Sequence, residues 1–278
     1  PFLALIISLC AAAAADDKET PELRLERARK DFEEAVELHK KKAAEFFEKK
    51  EEAARAKSDK KALDLIKKQR ATFDTTGELP PAASQRPFHL AIYPVRQKVN
   101  KAYADVVGDL IKNKQDEAAE AAERERRSFL VSSGLIYGKR SHLTAFKSFN
   151  LKPEKQTVQH VKILKTKKEE IPQSIGLEPP SNGTAQVSYN LAGKWSGLRV
   201  RVGIPEFPDT TNPPASEVTF EVFGDGESLW KSKPTKTNDE YQIDEICVEK
   251  IKILTLKVHC PESSFWCRAC WLEPILAE

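Results

Sequence analysis

The sequence predicts a multi-domain α + β chain, with αα-hairpins in its N-terminal half and a β-sandwich or jelly roll in its C-terminal half. Three observations carry this reading. Composition changes near residue 131: before it Ala, Glu, Lys and Arg dominate and Gly is nearly absent, whereas after it Val, Ile, Thr, Trp, Gly and Pro come in short runs. The first half repeats its apolar pattern at one constant offset. The second half alternates apolar and polar residues over runs of strand length, with turn residues between them. A chain of 278 residues is long enough for two cores.

The chain opens on Phe2-Leu3-Ala4-Leu5-Ile6-Ile7-Ser8-Leu9-Cys10, continues as alanine over 11–15, and turns acidic at Asp16-Asp17. An apolar run that ends in small residues before an acidic start reads as a signal peptide over residues 1–15. The run is too short to span a bilayer. Cys10 would leave with it, because Leu9 stands where a lipobox needs a small residue. The competing reading is a buried first helix. No later run is apolar enough to cross a membrane. The expectation is an exported protein, periplasmic, at the cell surface or extracellular, in an oxidising compartment. Charge is high but balanced. Residues 16–130 carry 26 Lys and Arg against 24 Asp and Glu, and residues 131–278 carry 19 against 18. Neither half has the basic excess of a nucleic-acid binder.

The helical part, residues 16–131, carries an apolar stripe at Leu25, Phe32, Val36, Ala43, Phe47 and Ala54, whose steps of seven and four follow the helical period. The stripe pauses at Lys57-Ser58-Asp59. A shorter helix follows with Ala62, Leu63, Ile66 and Phe73, and stops at Asp74-Thr75-Thr76-Gly77 before Pro80-Pro81. The pattern then recurs 56 residues on. Phe32 matches Phe88, Val36 Ile92, Ala43 Val99, Phe47 Tyr103, Ala54 Leu110, Ala62 Ala118, and Phe73 Phe129. This is a duplicated αα-hairpin, over about 21–74 and 84–130, packing as a four-helix unit or coiled-coil pair. Pro94 falls inside the third helix and should kink it or mark its start. His39 and His89 have no metal-spaced partner and read as solvated or partly buried side chains. Runs such as Lys40-Lys41-Lys42 interleaved with Glu read as a solvated face. The unit is expected to be a spacer or a self-association element.

Residues 132–156 read as a linker, with a first strand at Leu143-Thr144-Ala145-Phe146. From 157 the strands are plainer. Alternation runs over 158–164, over 185–189 after the Asn182-Gly183 turn, over 198–202 with both arginines on one face, over 218–223 into Gly224-Asp225-Gly226, over 251–258, and over the closing 270–276. These predict a sandwich or jelly roll over 157–278.

Within that half, Gly176-Leu177-Glu178-Pro179-Pro180 and Val187-Ser188-Tyr189-Asn190-Leu191-Ala192-Gly193-Lys194-Trp195 resemble the opening of the NPCBM family of carbohydrate-binding modules. Val218-Thr219-Phe220-Glu221-Val222-Phe223-Gly224-Asp225-Gly226 with Leu229-Trp230-Lys231-Ser232, and Leu254-Thr255-Leu256-Lys257-Val258 running on to Ala269-Cys270-Trp271-Leu272-Glu273-Pro274, resemble its later strands. The resemblance covers about 157–278 and none of the helical half. It implies a galactose-binding-like β-sandwich on exported proteins, including glycosidases and surface proteins of planctomycete-like bacteria. Two positions depart from the family pattern. Glu178 and Pro179 stand where the family often has His before Pro. Cys267-Arg268-Ala269-Cys270-Trp271 replaces an Asp-His-Ala-x-Trp motif, so a role for those polar groups in holding a sugar or cation does not carry over.

Sugar binding needs an aromatic face for the pyranose C–H groups and polar groups for its hydroxyls. Trp230 and Trp271 sit at strand positions suited to the core. Trp195 and Trp266 lie at loop or strand-edge positions and are the expected exposed platform, with Arg199, Arg201, Asp225 and Arg268 as polar partners. Cys247, Cys260, Cys267 and Cys270 should form two disulfides in one of three pairings, and a Cys260–Cys267 bond would clamp the loop between them. A redox pair at Cys267 and Cys270, or a zinc site with His259, is the alternative, set against by a strand location that does not lower a thiol pKa. No catalytic constellation, cofactor motif or metal set appears, so an enzyme is not expected. The expected function is a non-catalytic carbohydrate-binding protein that binds a glycan or polysaccharide, its sandwich held on a helical spacer. The alternative is a structural or interaction protein whose hairpins self-associate.

Overall fold

A computed structural model describes residues 20–77, 86–153, 159–206, 216–236, 241–265 and 267–278, with the side chains of 86–90 set aside. The expected signal peptide, the Pro80-Pro81 breaker, Trp266 and the side chains of Phe88 and His89 lie outside the described residues.

Four helices come first. Helix α1 (Pro21–Ala56) starts where the Thr20 hydroxyl accepts the N–H of Leu23, with Pro21 on its first turn, where a missing N–H costs nothing. Helix α2 (Lys60–Thr76) is capped by Asp59, which accepts the N–H of Ala62, and ends on Gly77 at φ 72°, the left-handed cap that glycine supplies. Helices α3 (Arg86–Lys112) and α4 (Asp116–Tyr137) follow. Helix α3 runs through Pro94 and does not begin there. Helix α1 packs along α3, with α2 against α1 and α4 against α3. Val36, Ala43, Phe47 and Ala54 of the predicted stripe are buried, and Phe32 meets Phe129 edge-on at 5.1 Å. The two hairpin turns share one geometry. Ser58 N–H donates to Arg55 O (2.9 Å) and Asp59 N–H to Ala54 O (3.0 Å). Fifty-six residues on, Lys114 N–H donates to Ile111 O (3.0 Å) and Gln115 N–H to Leu110 O (2.9 Å). Ser58 and Lys114 both take positive φ, 53° and 58°.

The strands are β1 (Arg140–His142), β2 (Ser148–Lys152), β3 (Gln159–Lys165), β4 (Glu170–Leu177), β5 (Gly183–Asn190), β6 (Gly197–Gly203), β7 (Thr219–Gly224), β8 (Glu227–Lys231), β9 (Tyr241–Cys247), β10 (Ile253–Cys260) and β11 (Ala269–Ala277). They form two antiparallel sheets, β3-β4-β11-β6-β9 with β1 beside β11, and β2-β5-β10-β7-β8. Alternate residues of both sheets, among them Val187, Tyr189, Val200, Phe220, Leu256 and Trp271, fill one core between them. The strand signal found at 143–146 is misplaced. Leu143–Ala145 is a single 3-10 turn that buries Leu143, and the strands of this segment, β1 and β2, flank it.

The helical unit is docked on the sandwich. Helix α4 packs against β6, β9 and β11, where Val131 and Leu135 meet Ala277, Cys247 and Ile275. Gly197 allows this approach, since a Cβ there would lie 3.3 Å from Val131. Arg96, only 2% exposed, donates to Ser133 Oγ (2.8 Å) and Leu130 O (2.7 Å) on α4, and to Ser196 Oγ (2.8 Å) and Glu278 O (2.5 Å) on the sandwich. Burial holds its guanidinium down at about 10. Arg126 is held bidentate by both Glu123 (2.7 and 2.8 Å) and Glu249 (2.6 and 3.1 Å). Hydrogen bonds from Arg126 push the Glu123 carboxyl down to about 2. These contacts pack the helical unit on the module.

Candidate functional site

The expected site residues divide among three places. Trp195 and Asp225 lie at one end of the sandwich. Trp195 was expected to be exposed; it is 8% exposed, part of the core, and edge-on to Phe146 at 5.8 Å. The cause is local. Gly193 N–H donates to Ile251 O, which turns the segment after β5 back over the core edge. Asp225 sits in the β7–β8 turn at φ 50°, followed by Gly226 at 95°, the left-handed pair that a two-residue hairpin needs. Its carboxylate accepts the N–H groups of Ile253 (2.8 Å) and Lys252 (3.1 Å), which lowers its pKa and ties the turn to β10. Both residues have structural work.

Arg199 and Arg201 lie on the outer face of the β3-β4-β11-β6-β9 sheet. Arg199 donates to Glu245 (3.1 Å). Arg201 is paired with Glu169 and lies 4.2 Å from the Tyr241 ring centre. Their charges are engaged within the sheet face.

Arg268 lies at the opposite end, beside the segment before β11. Here two loops are laced together. Asn182 N–H donates to Glu262 O (2.6 Å), Ser264 N–H to Ser181 Oγ (2.9 Å), and Ser216 Oγ to Ser263 O (2.6 Å). Held this way, Phe265 stands 65% exposed next to Trp266 in sequence, with half-buried Arg268 and exposed Glu178 at the same end. The sequence reading missed Phe265. Its signal was an aromatic pair inside an otherwise polar loop. Of the expected residues, Arg268 belongs to this end, Trp195, Asp225, Arg199 and Arg201 do not, and Trp266 lies outside the described residues.

The remaining tryptophans are accounted for. Trp271 is fully buried. Trp230 is half-buried, 6.4 Å from Trp271, and donates Nε1–H to Asp244 (2.5 Å).

The two expected disulfides are absent: Cys247, Cys260, Cys267 and Cys270 are free thiols. Distribution keeps Cys247 and Cys270 apart from the other two, while Cys260 and Cys267 share one core as neighbours and are unbonded. Cys247 lies in the helix-docking seam, Cys260 and Cys267 in the core, and Cys270 on the other face of β11 with Leu164, Ile171 and Leu272. Burial, reinforced by the adjacent thiol and by Glu178, pushes Cys267 and Cys270 up to about 12. A thiol so raised is a poor nucleophile and a poor ligand. Among the described residues no group of three His, Cys, Asp or Glu side chains is arranged to hold a metal. His39, expected to be at most partly buried, is 6% exposed between Phe73 and Tyr137, and burial, then Lys42, brings it down to about 4.

Comparison with known proteins matches residues 151–276 to the NPCBM/NEW2 domain family. No curated protein matches the chain. Similar solved structures include a CBM51 module in complex with GlcNAc from Clostridium perfringens ZmpB, at 18% identity and TM-score 0.42, covering 50% of this chain and 32% of that one. Another is the CBM51 of Clostridium perfringens GH95 in complex with methyl-galactose, at 14% identity and TM-score 0.40, covering 50% and 100%. A third is the tandem CBM51 pair of a family 98 glycoside hydrolase from Streptococcus pneumoniae, at 16% identity and TM-score 0.40, covering 50% and 46%. The chain thus spans about a third of the first of these proteins. The C-terminal half of the chain, residues 151–276, is an NPCBM domain.

Proposed function

We propose that the protein is an exported, non-catalytic carbohydrate-binding protein whose sandwich binds glycans at the loop end built from 178–182 and 261–268. The observation that carries this reading is the family of residues 151–276. Exposed Phe265 on an anchored loop, followed in sequence by Trp266 and with half-buried Arg268 at the same end, supports the location, because an aromatic face and a polar fork are what a pyranose needs. Export rests on the leader-like residues 1–15. The test is binding of the full chain to an array of polysaccharides and oligosaccharides. Phe265→Ala, Trp266→Ala and Arg268→Ala should each weaken binding at least tenfold while circular dichroism stays unchanged. A folded wild-type chain that binds no glycan would overturn the function, and wild-type affinity in all three variants would overturn the location.

Self-association is a second reading, favoured by Leu38, Leu65 and Ile111, each more than half exposed on the helices. A monomer by sedimentation at high micromolar concentration would end it.

A further inference from the structure

The outer face of the β2-β5-β10-β7-β8 sheet carries a second arrangement that the loop end does not use. The helices pack on the other sheet, at β6, β9 and β11. On this face the register aligns one residue from each strand across the sheet: Phe149, Ser188, Thr255, Phe223 and Ser228. Phe149 is 41% exposed, Thr255 and Phe223 are half-buried, and Ser188, bonded to the Thr255 hydroxyl at 2.8 Å, is fully buried beneath them. Three strand spacings separate Phe149 from Phe223, about 14 Å. The adjacent row, about 7 Å along the strands, reads Lys152, Gln186, Lys257, Glu221 and Lys231. It holds three ammonium groups against one carboxylate.

The charges on this face differ from those on the opposite one. There Arg199 and Arg201 are each paired with a glutamate. Here, among the described residues, Lys152, Lys231 and Lys257 form no ion pair, and Lys257 lies 3.6 Å from the Phe223 ring centre. An ammonium over an aromatic face is held in place without being neutralised. The face thus presents an exposed ring, Phe149, and the Thr255 hydroxyl beside a row whose three ammonium groups exceed its one carboxylate, Glu221.

We infer that this sheet face binds an acidic polysaccharide, carboxylated or sulfated, laid across the strands with a sugar face on Phe149 and its anionic groups on Lys152, Lys257 and Lys231. Charge complementarity selects the occupant. A neutral glycan would leave the excess of cations over Glu221 unanswered, and an apolar partner would have to desolvate it. The inference rests on the reading of the sandwich as a glycan module and adds the ligand class and a second location.

The experiment is titration of the full chain with polygalacturonate, and with the same polymer methyl-esterified to neutrality, at 20 and 300 mM salt. The expected result is binding to the acidic polymer at low salt, weakened at least tenfold at high salt. A Lys152→Gln/Lys257→Gln variant and Phe149→Ala should each lose at least tenfold. A Lys60→Gln/Lys61→Gln variant, which removes equal charge from an exposed helix end, should bind like wild type. Equal loss in that control, or full affinity in Phe149→Ala, would mean diffuse ionic attraction and overturn the inference. Binding only to neutral glycans, unaffected by the sheet-face variants, would overturn it and leave the loop-end reading standing. No binding to any glycan by the folded chain would remove both.

Discussion

Arg96 shows how one residue joins two halves of a chain. Its guanidinium spends its donors on two backbone carbonyls and two hydroxyls, drawn from α4 and from the far end of the sandwich. Truncating it leaves those acceptors buried without a donor, at about 1–3 kcal/mol for each unsatisfied group. Arg96→Met should therefore lower unfolding free energy by about 3 kcal/mol or more in urea titration; a loss under 1 kcal/mol would show that the contacts contribute little. His39 makes a prediction about acid. Its folded pKa is about 4 against an ordinary 6.5, so between those values the unfolded chain binds the extra proton and the folded chain does not. Stability from this group is full above pH 6.5 and is lost as pH falls towards 4, and His39→Leu should flatten the decline over that window. Neither residue was legible in the sequence, because partners up to 182 residues away decide their burial. Trp195 was misread for a related reason. Alternation ends before it, and only the fold-back of the 191–195 turn places its ring in the core.

At the scale of elements the sequence was more informative, because periodicity and turn chemistry are local. The 56-residue offset that aligned Ala54 with Leu110 also aligns the turns that follow them, bond for bond. We propose that the hairpins are copies of one unit. Ser58 and Lys114 occupy the same left-handed position, where an L side chain is strained and glycine is not. Ser58→Gly and Lys114→Gly should each stabilise by up to about 1 kcal/mol, and by similar amounts; opposite signs in thermal unfolding would contradict the equivalence of the turns. Of the longer strands, β3, β5, β6, β7, β10 and β11 were legible from alternation, whereas β4, interrupted by Pro172, and β9, acidic at Asp244-Glu245, were not. The short strands β1 and β2 were not, since three to five residues carry too few alternations to register, and their place is set by pairing with β11 and β5. The disulfide expectation failed at this scale too, because spacing along the chain does not reveal that Cys260 faces the core while Cys270 faces outward from β11 and Cys247 lies in the helix seam.

For the whole molecule, the docking seam means that helices and sandwich stabilise one another. The apolar contact of Val131 and Leu135 with Ala277, and the Arg126–Glu249 pair, lie between them. All four tryptophans lie in the sandwich half and the long helices in the other, so two probes separate the parts cleanly. Tryptophan fluorescence and far-ultraviolet helical signal should follow one denaturation curve, and two resolved midpoints would show that the seam does not couple the two parts. A module fixed in this way presents its loop end and its open sheet face in a set orientation to the helices.

The most direct test of the central reading is hydrogen exchange of the full chain with and without an oligosaccharide that binds it on an array. The account predicts slowed exchange in 178–182 and 261–268, with helices α1 and α2 unchanged. Protection confined to the helices, or a folded chain that no glycan protects anywhere, would contradict it.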